Sequence, residues 1–227
     1  MVVDFHSHIL PCCDHGSTSV EMSVSQVRSA LNAGIDLIVA TPHYYNNNDT
    51  IDDFLLRRKN CYQALVDALK TQGIEATIVL GAEVNLQTEL LEKNERLKEL
   101  CISGTRYMLI EPPMFSEWTD WVYNSIRKLR DLGIEPIIAH IDRYNEKYLK
   151  RLFENDYVYQ INVSALTTFS GRRKINRFIG YHSVVLGMLS IVTMFLPPVS
   201  TVIWLLLLIP YAIISILYGI KVGKSQD

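Results

Sequence analysis

The segment Asp4-Phe5-His6-Ser7-His8, near the start of the chain, decides how the rest of the sequence is interpreted. Side chains along a strand alternate between its two faces, so His6 and His8 point the same way and can reach one point in space. Apolar Val3 and Phe5 beside them favour a short buried strand. Two imidazoles that converge at a strand end form half of a metal site. On this spacing alone, a pair of surface or core histidines is an equally good interpretation.

Length and charge exclude few classes of protein. The chain has 227 residues, which fits one large α/β domain or a smaller domain with an appendage. Its formal net charge of −2 gives no argument for binding nucleic acid. No charged amino-terminal region precedes an apolar run, so we expect no secretory signal peptide and a cytoplasmic amino terminus.

The four cysteines form no recognisable zinc or catalytic motif. They lack the paired spacing of a zinc knuckle, and adjacent Cys12 and Cys13 cannot easily share one tetrahedral site. Only four residues separate Cys101 from Arg106, one fewer than the spacing of cysteine phosphatases. Free thiols in a reducing compartment are therefore expected.

Strand and helix patterns alternate along the first three quarters of the chain. Apolar runs of strand length are separated by segments with apolar residues at helical spacing. This alternation predicts parallel strands joined by crossover helices, in a closed barrel or an open doubly wound sheet. No Gly-x-Gly-x-x-Gly follows a strand, so a dinucleotide-binding fold has no support. After the first strand, the predicted strands are 35–40, 76–80, 107–110, 134–139 and 157–163, and the predicted helices are 19–32, 53–70, 90–100, 118–132 and 146–155.

Polar residues that can bind metal fall at the carboxyl ends of five successive predicted strands, with one more in the loop after the first. In barrel enzymes this end carries the active site, because every strand delivers a side chain to a common mouth. Any one of these residues alone is more often a helix cap or a satisfied buried group, but their joint placement favours a site. The candidate metal ligands are His6, His8, Asp14, His43, Glu83, Glu111 and His140.

Imidazoles and carboxylates without thiolates suit manganese, iron or zinc. Seven candidate ligands are more than one ion needs, so we expect two or more ions that share bridging carboxylates. Paired ions clamp the attacking and leaving oxygens of a displacement at phosphorus, which makes hydrolysis of a phosphoester the expected reaction. Amide hydrolysis by a binuclear centre is chemically close and stays open. Arg143 can hold a phosphate through its guanidinium fork or pair with Asp142, and a solvent-facing loop arginine is an equal alternative.

These residues stand in blocks that resemble the PHP (polymerase and histidinol phosphatase) superfamily, and most of all its bacterial manganese-dependent protein tyrosine phosphatases of capsular and exopolysaccharide synthesis. The resemblance covers residues 1 to about 171. It implies a distorted barrel of seven strands, a trinuclear metal centre and attack on phosphotyrosine by metal hydroxide, with Asp14 and Arg143 as catalytic residues. The usual substrate of that branch is the tyrosine-rich tail of a polysaccharide-chain-length kinase. The matching blocks are Asp4 to Pro11, Asp14 with Gly16-Ser17, Ala40 to His43, Gly81 to Glu83, Leu109 to Glu111 and Ala139-His140.

The chain departs from this family at four places. Cys12 replaces a glycine, His15 replaces an acidic residue, and Ile141-Asp142-Arg143 stands where the family has Pro-Glu-Arg. The family also ends with an Asp-x-His pair, which is absent here after Gly171. We therefore expect a barrel that is incomplete at its carboxyl end and lacks one or two ligands. An impaired remnant that binds without turnover, and a phosphatase for small phosphomonoesters such as histidinol phosphate, are the alternatives.

The carboxyl-terminal part has a different composition. No Asp, Glu, Lys or Arg occurs in residues 178–220, and segments 178–196 and 199–220 are each long enough to cross a bilayer as a helix. Pro197-Pro198 lies between them, and basic residues flank both ends. This pattern predicts a transmembrane helical hairpin with both ends in the cytoplasm, although a buried helical pair is an alternative. The expected domains are a phosphatase domain, 1–171, and a basic linker with the membrane segment, 172–227.

Overall fold

Two parallel sheets form the centre of the fold. The computed structural model describes residues 1–162, apart from the side chains of residues 93–95. All strand pairs in this part of the chain are parallel, as the alternation of strand and helix predicts. The strands are β1 Val3–Ser7, β2 Leu37–Ala40, β3 His43–Tyr44, β4 Ile78–Leu80, β5 Glu83–Asn85, β6 Tyr107–Glu111, β7 Glu135–Ile138 and β8 Val158–Tyr159.

The strands run in the order β1-β2-β4 in the first sheet and β3-β5-β6-β7-β8 in the second. The α/β fold with parallel strands is thereby confirmed. Within residues 1–162 no strand pairing joins β8 to β1, so the described part of the chain is not closed into a barrel by hydrogen bonds. The α-helices are α1 Val20–Asn32, α2 Ile51–Thr71, α3 Asp120–Asp131 and α4 Glu146–Phe153, and the 3-10 helices are Thr88–Leu100 and Ile141–Arg143.

Two chain segments pass from the first sheet into the second at the same level. Ala40 of β2 pairs with Leu80 of β4 in the first sheet, and three residues later His43 of β3 pairs with Glu83 of β5 in the second. A side chain at Gly81, between the two sheets, would lie 3.2 Å from the Thr41 methyl group, so the close approach of the chains favours glycine. The equal step on both segments places His43 directly opposite Glu83.

Helices cover the sheets and bury two separate apolar clusters. The side chains of Ser19, Thr50 and Asn145 accept a hydrogen bond from the first turn of α1, α2 and α4, which satisfies N–H groups that the helix leaves unpaired. Val27 of α1 and Leu65 of α2 are fully buried in the cluster over the first sheet. Burial of one such side chain contributes about 1.5–3 kcal/mol, so these contacts hold the helices against the sheet.

The helix predicted over 90–100 is present, and it is a 3-10 helix, Thr88–Leu100. Three residues per turn align Leu97 with Leu100, and both side chains are fully buried. The spacing of these two leucines therefore fits the 3-10 geometry of the segment.

No helix within residues 1–162 combines the length and the apolar character needed to cross a bilayer. The hairpin predicted for 178–220 lies outside the described residues, as do the domain boundary predicted at 171 and the end of the strand predicted for 157–163.

Candidate metal centre

Four imidazole rings surround the carboxylate of Glu83, the first residue of β5, which is completely buried. Glu83 Oε2 lies 3.0 Å from His6 Nε2 and 3.1 Å from His8 Nε2. The same oxygen lies 3.3 Å from His43 Nδ1, and Glu83 Oε1 lies 2.8 Å from His140 Nε2. One acidic side chain is thus shared by four histidines from three parts of the sequence.

The first strand carries two of these histidines toward the same point. One extra residue of β1 lies between the pairs that Asp4 and Ser7 make with β2, which is a β-bulge of the kind found beside active sites. Ser7 points away and donates a hydrogen bond from Oγ to the carbonyl of Val39 at 3.0 Å. The rings of His6 and His8 meet with their Nε2 atoms 3.2 Å apart.

The ligand atoms form two groups of three that share Glu83. We call His6, Glu83 and His140 the inner trio, and His8, His43 and Glu83 the outer trio; in each trio the candidate ligand atoms lie within 4.8 Å of one another. The inner trio is nearly closed to solvent, whereas the His8 side chain in the outer trio is 21% exposed. Two ions bridged by one carboxylate would fit this arrangement.

Two buried polar atoms of the site lack a hydrogen bond, and they indicate whether its residues fit a metal ion. Glu83 Oε2 and His43 Nδ1 are both buried, and neither makes a hydrogen bond within the described residues, although 3.3 Å separates them. Their distance suits an ion pair, but their orientation is wrong for a hydrogen bond. A buried polar atom without a partner costs about 1–3 kcal/mol. Nitrogen and carboxylate lone pairs that face one point are relieved by a divalent cation, so the donor set fits manganese, iron or zinc.

The two histidines of the outer trio have opposite electrostatic environments. Burial disfavours the charged form of His8, but the carboxylates of Asp14 and Glu83, which lie against its two ring nitrogens, outweigh this effect and raise its pKa to about 9. Burial dominates for His43 and lowers its pKa to about 4, so this ring is neutral at pH 7. A neutral imidazole is the form that binds metal.

The carboxylate at the centre stays ionised in spite of its burial. Burial favours the neutral acid, but the imidazoles of His140, His6 and His8 that lie against the carboxylate hold the pKa of Glu83 far below its usual range. A permanent negative charge at the point shared by both trios makes Glu83 the strongest attraction for cations in the site.

Asp14 lies behind His8, outside both trios. Its Oδ2 atom is 2.7 Å from His8 Nδ1 and accepts a hydrogen bond from the backbone N–H of His43 at 2.9 Å. Its Oδ1 atom accepts from the backbone N–H of Gly16 at 2.9 Å. These contacts depress the pKa of Asp14 against the effect of burial. Asp14 therefore orients the ring of His8 in this structure, a contact typical of residues that support metal ligands.

Gly16 permits this loop to fold over the strand. A Cβ atom at this position would lie 2.1 Å from the Cβ of His8 and 2.6 Å from its carbonyl oxygen, distances that no side chain tolerates. The backbone of the loop consequently approaches close enough for Asp14 to reach His8.

Two further candidates, Glu111 and Arg143, lie outside both trios. The half-buried Glu111 accepts a hydrogen bond from Asn85 Nδ2 at 3.1 Å, and burial together with the charge of Glu83 raises its pKa. Arg143 is exposed, and its positive charge opposes that rise. The Asp142 carboxylate accepts hydrogen bonds from the backbone N–H and the side-chain amide of Asn162.

Several residues beside the site were not singled out from the sequence. The exposed ring of His15 stacks on His43 with 4.9 Å between centroids, and Tyr45 stacks on His43 at 5.2 Å. The position of Tyr45 two residues after His43 in an extended segment was a usable signal. Gln160 and Asn162 contact His140, but isolated amides carry no comparable pattern.

Residues 2–181 match the family described as capsular polysaccharide synthesis, CpsB/CapC. The tyrosine-protein phosphatase CpsB of Streptococcus agalactiae serotype V is 28% identical over 145 residues, which cover 63% of this chain and 58% of that protein. The chain thus spans less than two thirds of that relative's length. Tyrosine-protein phosphatase YwqE of Bacillus subtilis is 28% identical over 177 residues, covering 76% of this chain and 68% of YwqE.

A solved structure agrees with these matches. It comes from crystal structures of YwqE from Bacillus subtilis and CpsB from Streptococcus pneumoniae, described as unique metal-dependent tyrosine phosphatases. The TM-score is 0.67 at 25% identity, over 79% of this chain and 74% of the other. The resemblance found in the sequence is confirmed: the chain belongs to the CpsB/CapC family of capsular polysaccharide synthesis proteins.

Proposed function

We propose that this protein is a metal-dependent phosphatase that hydrolyses phosphotyrosine on a protein substrate. The observation that carries the proposal is the ring of four histidines around the buried carboxylate of Glu83. The names of the relatives support the same activity, since CpsB and YwqE are called tyrosine-protein phosphatases. In the reaction, water forms a bond to phosphorus while the bond from phosphorus to the tyrosyl oxygen breaks, and a proton from the water passes to that oxygen. The products are the protein with an unphosphorylated tyrosine side chain and inorganic phosphate.

Residues of the chain have separate roles in this proposal. When bound, the metal ions supply Lewis-acid charge to the phosphoryl group and acidify water. The inner and outer trios hold the ions, with Glu83 common to both. Asp14 keeps the ring of His8 oriented through its Nδ1 atom. Arg143, exposed and close enough to influence the charge of Glu111, binds phosphate oxygens through its fork.

The finer features are part of the same proposal. We infer that manganese is the natural metal, in two or three ions with Glu111 as a further ligand, and that iron or zinc can replace it. The substrate is the tyrosine kinase that regulates capsular or exopolysaccharide synthesis. Residues 1–171 form a PHP-type barrel that is incomplete at its carboxyl end. Residues 178–220 form a membrane hairpin that tethers the domain with both termini in the cytoplasm.

One observation favours a second candidate, an impaired remnant that binds its partner without turnover. The sequence has no Asp-x-His pair after Gly171, so the ligands that the resemblance leads us to expect there are missing. The two proposals differ in turnover, which makes them separable by one assay.

The test is an assay of the purified full chain on a phosphotyrosine peptide and on histidinol phosphate. Metal is removed with a chelator and manganese is then added back. We expect manganese-dependent release of phosphate from the peptide, faster than from histidinol phosphate, and its loss in His6→Ala. The control variant Phe115→Ala removes a fully exposed side chain and should keep the wild-type rate.

Each other outcome has a definite meaning. Metal binding without turnover would establish the remnant, and faster hydrolysis of histidinol phosphate would establish the small-molecule phosphatase. Full activity of His6→Ala would refute the metal centre as proposed. Carbonate extraction of cell membranes tests the tether, because release of the protein into the soluble fraction contradicts a hairpin.

A further inference from the structure

An exposed histidine that belongs to neither trio lies against the outer one. The ring of His15 stacks on His43, with 4.9 Å between the centroids and 24° between the planes. It also stacks on His8, at 5.7 Å and 27°. Because His15 is exposed, part of its ring remains open to solvent while it contacts two candidate ligands.

A second aromatic ring contacts the same part of the site. Tyr45 directly follows β3, and its ring stacks on His43 with 5.2 Å between the centroids and 24° between the planes. The side chain is half-buried, and its hydroxyl makes no hydrogen bond within residues 1–162. His43 thus has two aromatic neighbours that the proposed metal centre does not use.

We propose that His15 and Tyr45, which we call the aromatic wall, receive the aryl ring of phosphotyrosine and favour it over an alkyl group. The inference rests on the proposed function, because it needs a phosphoryl group bound at the outer trio. It adds the residues that recognise the organic part of the substrate. In this role the two side chains act through their ring faces.

The exposure of the two trios indicates the side from which a substrate enters. The inner trio is nearly closed to solvent, whereas His8 of the outer trio is partly exposed. A phosphoryl group carried by a protein therefore reaches the outer trio first. Since His15 and Tyr45 both contact a ligand of this trio, the tyrosyl group attached to that phosphoryl group lies beside their rings.

The residue type at position 15 suits an aryl phosphate. His15 stands where the family that the sequence resembles has an acidic residue, so a ring replaces a negative charge beside the site. An acidic side chain would repel a phosphate group, and an imidazole does not. A further metal ligand is the other role open to an imidazole here, but within residues 1–162 the groups of converging ligand atoms do not include His15.

The experiment compares two phosphonates that cannot be hydrolysed, phenylphosphonate and cyclohexylphosphonate. Both carry a six-membered ring, but only the phenyl ring is flat and aromatic. Contacts between aromatic rings raise affinity about 2- to 10-fold beyond the burial of area. We therefore expect the manganese-loaded full chain to prefer phenylphosphonate, and calorimetry should show this preference to fall about 2- to 10-fold in His15→Ala and in Tyr45→Ala. Comparison of the preference among variants cancels any difference in acidity between the two ligands.

Conservative variants and a distant tyrosine separate stacking from other roles. His15→Phe and Tyr45→Phe keep a ring but remove the imidazole nitrogens and the hydroxyl, so both should retain the wild-type preference. The matched control is Tyr62→Ala. Tyr62 is half-buried like Tyr45, but it lies on α2 beside Gly73 and Ile78, at the amino-terminal end of β4. Its removal should leave the preference unchanged.

A measurement on the wild type does not depend on whether a variant folds. In the zinc-loaded full chain, phenylphosphonate should shift the ¹H NMR signals of the His15 and Tyr45 rings through its ring current, and cyclohexylphosphonate should shift them less. Signals that respond equally to both ligands, or an unchanged preference in both alanine variants, would refute the aromatic wall.

The remaining outcomes distinguish this inference from the proposed function. A preference that falls as far in His15→Phe as in His15→Ala would overturn the stacking role of His15. Binding of neither phosphonate would refute the phosphate site itself, and the aromatic wall with it. A preference for phenylphosphonate in a protein without turnover would support the aromatic wall and establish the remnant.

Discussion

The inner and outer trios share one carboxylate, yet their histidines are oriented by different chemical groups. In the inner trio His140 is held by the neutral amide of Asn162, and in the outer trio His8 is held by the carboxylate of Asp14. Each group lies beside the Nδ1 atom of its histidine, and the Nε2 atom of each ring faces Glu83. Only the carboxylate also adds negative charge, and with Glu83 it raises the pKa of His8 to about 9.

This difference affects how each trio exchanges protons for metal. A histidine must lose the proton on its ligating nitrogen before it binds a cation. At pH 7 His8 holds that proton because its pKa is about 9, so metal must compete for the outer trio. The neutral amide of Asn162 adds no such negative charge beside His140. The outer trio is therefore expected to be the weaker and more pH-dependent of the two.

The largest effect is expected from Glu83→Gln, which changes the ligand common to both trios. Loss of the central negative charge should lower the affinity for both ions by more than about 100-fold, since loss of a residue that only supports a ligand already lowers metal affinity by about 10–100-fold. Metal content after gel filtration, measured by mass spectrometry, checks this. The matched control Glu75→Gln neutralises an exposed carboxylate before β4 and should leave the metal content unchanged. Retention of one full ion in Glu83→Gln would show that the trios do not share a ligand.

The second prediction separates the trios by removing one histidine from each. His43→Ala should abolish binding at the outer trio alone, and His6→Ala should abolish binding at the inner trio alone, because each ring belongs to one group. Calorimetric titration with manganese should show one fewer bound ion in each variant. Loss of all binding in His43→Ala would mean that the ions bind as one cooperative unit.

A smaller effect is expected from Gly16→Ala, which disturbs the support of the outer trio. The added Cβ would meet His8 at 2.1 Å, so the loop that carries Asp14 must move. Overpacking of this kind costs about 1–3 kcal/mol, which urea unfolding can measure, and outer-trio affinity should fall while inner-trio affinity stays.

The control is Gly34→Ala, at a left-handed position with no atom near its Cβ. It should destabilise the protein through its backbone without any change in metal affinity. Equal loss of affinity in both variants would contradict a local role for Gly16.

The smallest effect is a pH dependence that distinguishes the trios. Below pH 9 His8 is protonated in the folded protein, so binding at the outer trio should release a proton and its affinity should rise by up to about tenfold per pH unit toward pH 9. Calorimetry in buffers of different ionisation enthalpy counts the released proton. Asp14→Asn should lower the pKa of His8 and flatten this dependence.

The same shift predicts the stability of the metal-free protein. The pKa of His8 is raised from 6.5 to about 9, so the folded state binds the proton more tightly than the unfolded state does. The stabilisation is complete below about pH 6.5 and is lost as the pH rises through 9. Urea midpoints between pH 6.5 and 9 should decline, and less so in Asp14→Asn.

The sequence was sufficient to predict six of the eight described strands and the five longer helices, because apolar runs and helix periodicity are local signals, but the short strands β3 and β5 were not predicted. It could not predict that the chain changes sheets between Ala40 and His43, since that depends on which neighbour accepts each backbone hydrogen bond. The 3-10 geometry of Thr88–Leu100 was missed for a similar reason, because the positions of its leucines suit both kinds of helix.

The candidate site was predictable where strand ends carry histidine or glutamate. Five of the seven proposed ligands come together in the two trios, and Asp14 and Glu111 lie beside them. The contact between His140 and Asn162 joins residues 22 positions apart through side chains, and no local pattern marks it. The left-handed backbone of His140 also has no signal, because such positions usually carry glycine.

The register that pairs His43 with Glu83 is also favoured by the apolar residues beside them. Side chains alternate along β3 and β5, so Tyr44 and Val84, both completely buried, point opposite to the two ligands. A strand that docked one residue out of place would turn a ligand into the apolar core and an apolar side chain toward water, at a cost of about 1.5–3 kcal/mol for the exposed residue. The apolar core thus disfavours a shifted register even without metal. Burial of apolar side chains therefore determines how the two metal ligands are aligned.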